Sequence, residues 1–107
     1  MRRNEQKEAQ KAAQLCAQVR EALSLSLAAI EDDVMLDLFV LDVTPAPDAG
    51  RLRVTVGAGD EYTRDEILER VDHHMSALRA EVASSIHRKK TPTLVFEVLK
   101  RPPSSGD

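Results

Sequence analysis

Tryptophan is absent from the sequence, and Phe39, Tyr62 and Phe96 are its only aromatic residues, 3% of 107. That shortage argues against base stacking of the RRM type, which needs aromatics paired on neighbouring strands, and it leaves the core to aliphatic side chains. The single cysteine, Cys16, excludes an internal disulfide. No long apolar run and no secretory h-region follow the polar start Met1 to Gln10, so the expectation is a cytoplasmic protein without membrane contact. Glycine is equally sparing. The only close pair, in Gly57-Ala58-Gly59, lacks the Lys-Ser/Thr continuation of a phosphate loop and needs no role beyond a strand exit.

What is present is a soluble globular composition, 42% hydrophobic and 31% charged. A chain of this length buries roughly 60 to 70% of the surface its unfolded form exposes, enough for one two-layer core without metal or disulfide support. The formal net charge of −3 argues, as a total, against a polyanion partner, but the charges are unevenly placed. Residues 1–30 hold five basic side chains against three acidic, a net of +2; residues 31–72 hold four against twelve, a net of −8; residues 73–107 hold six against three, a net of +3. Both ends are basic and the middle is acidic. A polyanion needs one concentrated basic face, so local clustering outweighs the total.

From Ala12, apolar or small residues recur at Leu15, Cys16, Val19, Ala22, Leu23, Ser26, Leu27 and Ile30, the spacing of one helix face. The acidic stretch Glu31 to Asp33 ends that helix. Leu36 to Val43 is expected as a strand and Thr44 to Gly50 as a rigid turn. Arg51-Leu52-Arg53-Val54-Thr55-Val56 alternates strictly, with Leu52, Val54 and Val56 on one face and both arginines on the other. Thr63-Arg64-Asp65-Glu66 has the form of a capping box opening a second helix, whose stripe runs Ile67, Val71, Met75, Leu78, Val82, Ile86. Pro92 cannot continue it, and Thr93 to Leu99 sets Leu94, Phe96 and Val98 on one face of a third strand. The order α-β-β-α-β with one apolar sheet face predicts an α+β two-layer domain over residues 11–100. Residues 1–10 are expected as a flexible polar N-terminus and residues 101–107 as a disordered tail.

The segments Leu78-Arg79-Ala80-Glu81-Val82 and Ser85-Ile86-His87-Arg88-Lys89-Lys90-Thr91-Pro92-Thr93-Leu94-Val95-Phe96 resemble ribosome-binding factor A. That family carries an apolar-Arg helix turn, a basic run, and a proline before an apolar-x-aromatic strand. Thr44-Pro45 and Asp48 stand where it has Ser-Pro-Asp, and the match spans roughly residues 15 to 99. The resemblance implies a type II KH-like domain, α-β-β-α(α)-β, with two or three helices packed on a three-stranded sheet. It also implies a non-enzymatic factor that needs no cofactor, binds a maturing bacterial small ribosomal subunit and its rRNA, and assists late rRNA processing. Two differences from the family and one absence shared with it stand out. Asp32-Asp33-Val34 replaces the family's Asp-Pro-Arg; Ser76 stands where the family has the glycine of its kinked helix, so one continuous helix is open; and the Gly-x-x-Gly clamp of other KH domains is absent here, as in the family.

The basic run His87-Arg88-Lys89-Lys90 is the strongest RNA-binding candidate, because its cations concentrate potential where phosphate contacts would release counterions. Ordinary helix termination is its bland explanation. Arg51 and Arg53, off the apolar sheet face, could extend the basic surface or only solvate it, and Arg79 could join it or serve a structural ion pair. Arg2 and Arg3 could act as a basic arm. Asp72-His73-His74 invites a metal, with Glu69 and His73 at i, i+4, but no third ligand is apparent and no metal is expected. Cys16 sits on the apolar stripe and reads as core. The expectation is a monomer with the small subunit, its rRNA and ribosomal proteins as partners. The rival readings are a KH-like adaptor whose acidic middle meets a basic protein, and a small metal-dependent hydrolase resting on Glu69, Asp72, His73 and His74.

Overall fold

The computed structural model describes residues 2–100, with side chains described from residue 10; the proposed tail at 101–107 lies outside them. Helix α1 spans Arg2–Ala29 and so begins well before the apolar stripe that predicts it. From Leu15 onward its buried face is the expected one, with Val19 and Leu23 fully enclosed and Ser26 its one buried polar residue.

Between α1 and the sheet lies a one-turn helix, α2 (Asp33–Leu36), which the sequence pattern does not predict and whose last residue, Leu36, it gives to the first strand. Its cause is Asp32, whose Oδ1 accepts from the backbone N–H of Val34 at 2.9 Å and of Met35 at 3.4 Å, an N-cap that turns the chain into helix. Strand β1 therefore starts later, at Phe39, and runs to Pro45. β2 (Arg51–Ala58) and β3 (Thr93–Lys100) each extend past their expected ends.

The sheet order is β1-β2-β3, with β1 antiparallel and β3 parallel to the central β2. A register shift between Val40 and Asp42 leaves Leu41 as an extra residue in β1. Strict alternation would put Val40 and Val43 on opposite faces; the bulge lets both face the helices. On the uncovered face Phe39 lays its ring over Gly57, where an added Cβ would stand 2.5 Å from the ring.

The second helix is two helices. α3 (Arg64–His73) opens with the full capping box, Thr63 accepting from the Glu66 amide at 3.1 Å and Glu66 accepting from the Thr63 amide at 3.0 Å. α4 (Met75–Ser85) follows after His74, at φ −96° and ψ 6°, where the helix breaks. The question that Ser76 leaves open is thus answered: there is a break, and the junction lies at His74. His74 Nε2 meets Asp32 Oδ2 at 2.9 Å, tying the break to the α2 cap.

Helices and sheet share one aliphatic core, in which Leu23, Met35, Leu52, Ile67 and Leu78 are completely enclosed. Each such side chain contributes about 1.5–3 kcal/mol relative to exposure.

Candidate nucleic-acid interface

One end of the sheet gathers the start of β2, the β1–β2 turn and the loop from α4 to β3. The turn is closed by the Ala46 N–H donating to Arg51 O at 2.7 Å, and by the Asp48 carboxylate accepting from the Gly50 N–H at 2.8 Å. It contains a cis Ala46-Pro47 bond. The Thr93 N–H donates to Gly50 O at 3.0 Å, and Arg51 pairs in register with Thr93, which brings the α4–β3 loop beside the turn.

His87, Arg88, Lys89 and Lys90 occupy that loop. Ile86 leaves α4 in an extended conformation and is buried, and Pro92 is fully buried, so both flanks are anchored; of the five residues between them His87 to Lys90 are exposed and Thr91 is half-buried. The last turn of α4 holds no basic residue. The run begins just past the C-cap Ile86, and among the described residues none of its side chains hydrogen-bonds the last carbonyls of α4. Arg88 Nη1 reaches Ala49 O at 3.4 Å, a long bond that lays its guanidinium along the turn.

Arg51 and Arg53 stand exposed on the uncovered sheet face at the same end. Arg53 is partly neutralised, its Nε lying 3.5 Å from Glu97 Oε2 on the neighbouring strand. Among the described residues no carboxylate forms an ion pair with Arg51, Arg88, Lys89 or Lys90. Arg79 is set apart, exposed on α4 about 9 Å along the axis from Ser85 and likewise unpaired among the described residues. Lys11 of α1, which the sequence pattern does not single out, lines a recess with His87 and Arg88. Arg2 and Arg3 have no described side chains.

The opposite end is acidic. Tyr62 is half-buried there; burial first, then Glu61, Asp33, Asp37 and Asp32, push its hydroxyl up, so these carboxylates surround it. Asp32 is held below the usual carboxylate range chiefly by its hydrogen bond to His74, with the Val34 and Met35 amides and Arg70 adding to it against the effect of burial. Arg70 Nη1 lies 3.7 Å from Asp32 Oδ2. His74 is therefore engaged with Asp32, and the His73 and His74 rings stand edge to face at 5.0 Å. Among the described residues no group of three His, Cys, Asp or Glu side chains is placed to hold a metal ion. Cys16 is buried, and burial followed by the charge of Asp42 pushes its thiol up, which withholds the reactive thiolate.

Neither a protein-family profile nor a curated protein matches the chain. Among solved structures it is similar to the crystal structure of ribosome-binding factor A from Thermus thermophilus, with a TM-score of 0.72 and 28% identity over 81% of this chain and 93% of that one. The chain is ribosome-binding factor A-like. Its α+β architecture is accordingly KH-like, and the expected α-β-β-α(α)-β order holds once α2 is added and the bracketed helix is counted as α4. No helix among the described residues is long and apolar enough to cross a membrane.

Proposed function

We propose that this ribosome-binding factor A-like protein binds the maturing bacterial small ribosomal subunit by its rRNA and assists late rRNA processing in the cytoplasm, without catalysis or cofactor. The single observation that supports this most is the likeness to a ribosome-binding factor over nearly the whole described chain, joined to a basic end whose cations are mostly unpaired. Arg51, Arg53, His87, Arg88, Lys89 and Lys90 would contact phosphates at that end, with Arg79 at its margin. Phosphate contacts without base readout give a shape-directed, salt-sensitive affinity, which suits a factor that docks on precursor rRNA and later leaves. Protein contacts with ribosomal proteins would supply the rest, and a monomer suffices.

The test is cosedimentation of the purified chain with immature small subunits at low salt, together with precursor rRNA in a deletion strain. Binding that weakens steeply with salt, and accumulation of precursor rRNA, are expected; the absence of both would overturn the proposal. The acidic end favours one rival, an adaptor that meets a basic protein. Subunit binding indifferent to charge reversal at residues 88–90, but abolished by reversal around Tyr62, would favour that rival.

A further inference from the structure

A recess of about 760 Å³ opens between the N-terminal half of α1, the β1–β2 turn and the start of the α4–β3 loop. Its volume is that of sites which enclose a small organic ligand, about 300–1,000 Å³. The lining has two chemistries. Leu15, Pro45, Pro47 and Ala49 supply apolar surface, while Lys11, Gln14, Gln18 and Arg88 surround it with donors. Lys11, Gln14 and Gln18 follow at i, i+3 and i+7, so they form one row on α1, the two amides about 6 Å apart along the axis. All three are exposed, on the side of the helix that meets the turn.

We infer that this recess takes an unpaired nucleotide of an RNA strand. The inference rests on the RNA reading above and deepens it from phosphate contact to a defined base site. A duplex offers phosphates and 2′-hydroxyls at its surface and could use Lys11 and Arg88, but it cannot lower a base onto the apolar floor. An extruded base can. Proline and leucine surfaces pack against its face, and the Gln14 and Gln18 amides, which both donate and accept, match its polar edge. Lys11 and Arg88 then hold the flanking phosphates. Asp48 also lines the recess; its carboxylate repels a phosphate and accepts from an exocyclic amine, so it faces the base rather than the backbone. An acidic peptide would satisfy the two cations but would be repelled by Asp48 and would leave the amide row without a use.

The experiment uses the full chain and two fluorescent RNAs with equal numbers of phosphates, an unstructured twelve-nucleotide strand and a hairpin. The single strand should bind more tightly. The Gln14→Ala/Gln18→Ala double variant should lose about tenfold in single-strand affinity at an unchanged salt slope, with hairpin affinity unaltered. Lys11→Gln should instead lower the single-strand salt slope by about 0.7. All three positions are exposed on α1, and an unchanged melting temperature verifies that the variants fold. A double variant that binds the single strand as the parent does, or a parent that prefers the hairpin, overturns the assignment. If that parent still cosediments with immature subunits, only the base site falls; a parent that binds neither RNA nor subunits takes the ribosome reading with it.

Discussion

The acidic and basic ends of this molecule differ less in charge density than in what their charges already do. At the acidic end the carboxylates are engaged in folding: Asp32 caps α2 and holds His74, Asp37 accepts from the Gly59 N–H at 3.3 Å, and Glu66 closes the capping box of α3. At the basic end Arg51, Lys89 and Lys90 form no ion pair with a described carboxylate, and Arg88 has only a long bond to a backbone carbonyl. A chain of net charge −3 can therefore still present a positive face, because part of its negative charge is committed to helix ends and a helix junction. Counting charges along the sequence finds the two regions but not this asymmetry.

The largest expected effect comes from reversing the free charges. Arg88→Glu, Lys89→Glu and Lys90→Glu together should weaken binding to immature small subunits or single-stranded RNA by roughly 10- to 100-fold at low salt, and flatten the salt dependence by about 2 in slope. Asp33→Lys, Asp60→Lys and Glu61→Lys together should leave affinity within about threefold at about 0.15 M salt, where the Debye length of about 8 Å screens the other end. A titration of both variants across salt decides it. Equal losses would mean that the two ends do not divide the work as their pairing suggests.

The next effect is on stability. Asp32→Ala removes the α2 cap and the partner of His74 at once and should cost about 1–2 kcal/mol in denaturant unfolding, with RNA affinity unchanged. Asp32→Asn keeps a capping oxygen but removes the titration. Because the folded carboxyl is held below the value of the unfolded chain, the unfolded state binds the proton more readily, and the parent loses this contribution as the pH falls below about 4. The Asn variant should show a shallower loss of stability over that acid range. A matching acid limb in both proteins would assign the dependence to other carboxylates.

Asp32 also marks where the sequence was and was not legible. Periodicity exposed the buried face of α1, the alternation of β2 and the capping box of α3, because each is set by neighbours within one or two turns. The same periodicity ran Ile67 to Ile86 together as one stripe and left the break near Ser76 open, because the break coincides with a bond between His74 and a residue 42 positions away. The α2 turn had a local signal, an aspartate immediately before Asp33-Val34-Met35, but the β-favouring residues that follow masked it. The bulge at Leu41 had none, since its effect is to bring Val40 and Val43 to one face against helices elsewhere in the chain. Of the candidate interface, the cationic run was plain in the sequence. Lys11, Gln14 and Gln18 were not, because only the packing of α1 beside the β1–β2 turn gives that row something to face.

The smallest effect tests the comparison inside the basic end itself, between two arginines that strand alternation makes equivalent. Arg51 and Arg53 both point off the apolar face of β2, yet Arg53 reaches diagonally to Glu97, two residues along β3 from its register partner Val95, while Arg51 stands across from Thr93. Both partners of the Arg53–Glu97 pair are more than half exposed, so the pair should be worth less than about 1 kcal/mol to folding in a double-mutant cycle. Its influence on binding is separate: a guanidinium shared with a carboxylate attracts a phosphate less than a solvated one does. Arg51→Ala should therefore reduce RNA affinity more than Arg53→Ala, by about twofold, while Glu97→Gln should raise affinity by a similar factor and make Arg53→Ala as costly as Arg51→Ala. Anisotropy titrations of the four proteins at one low salt concentration measure this. Equal losses for the two arginines in the parent, with no gain on Glu97→Gln, would show that the carboxylate does not withhold Arg53 from the ligand, and pairing would then cease to be the property that separates the two ends.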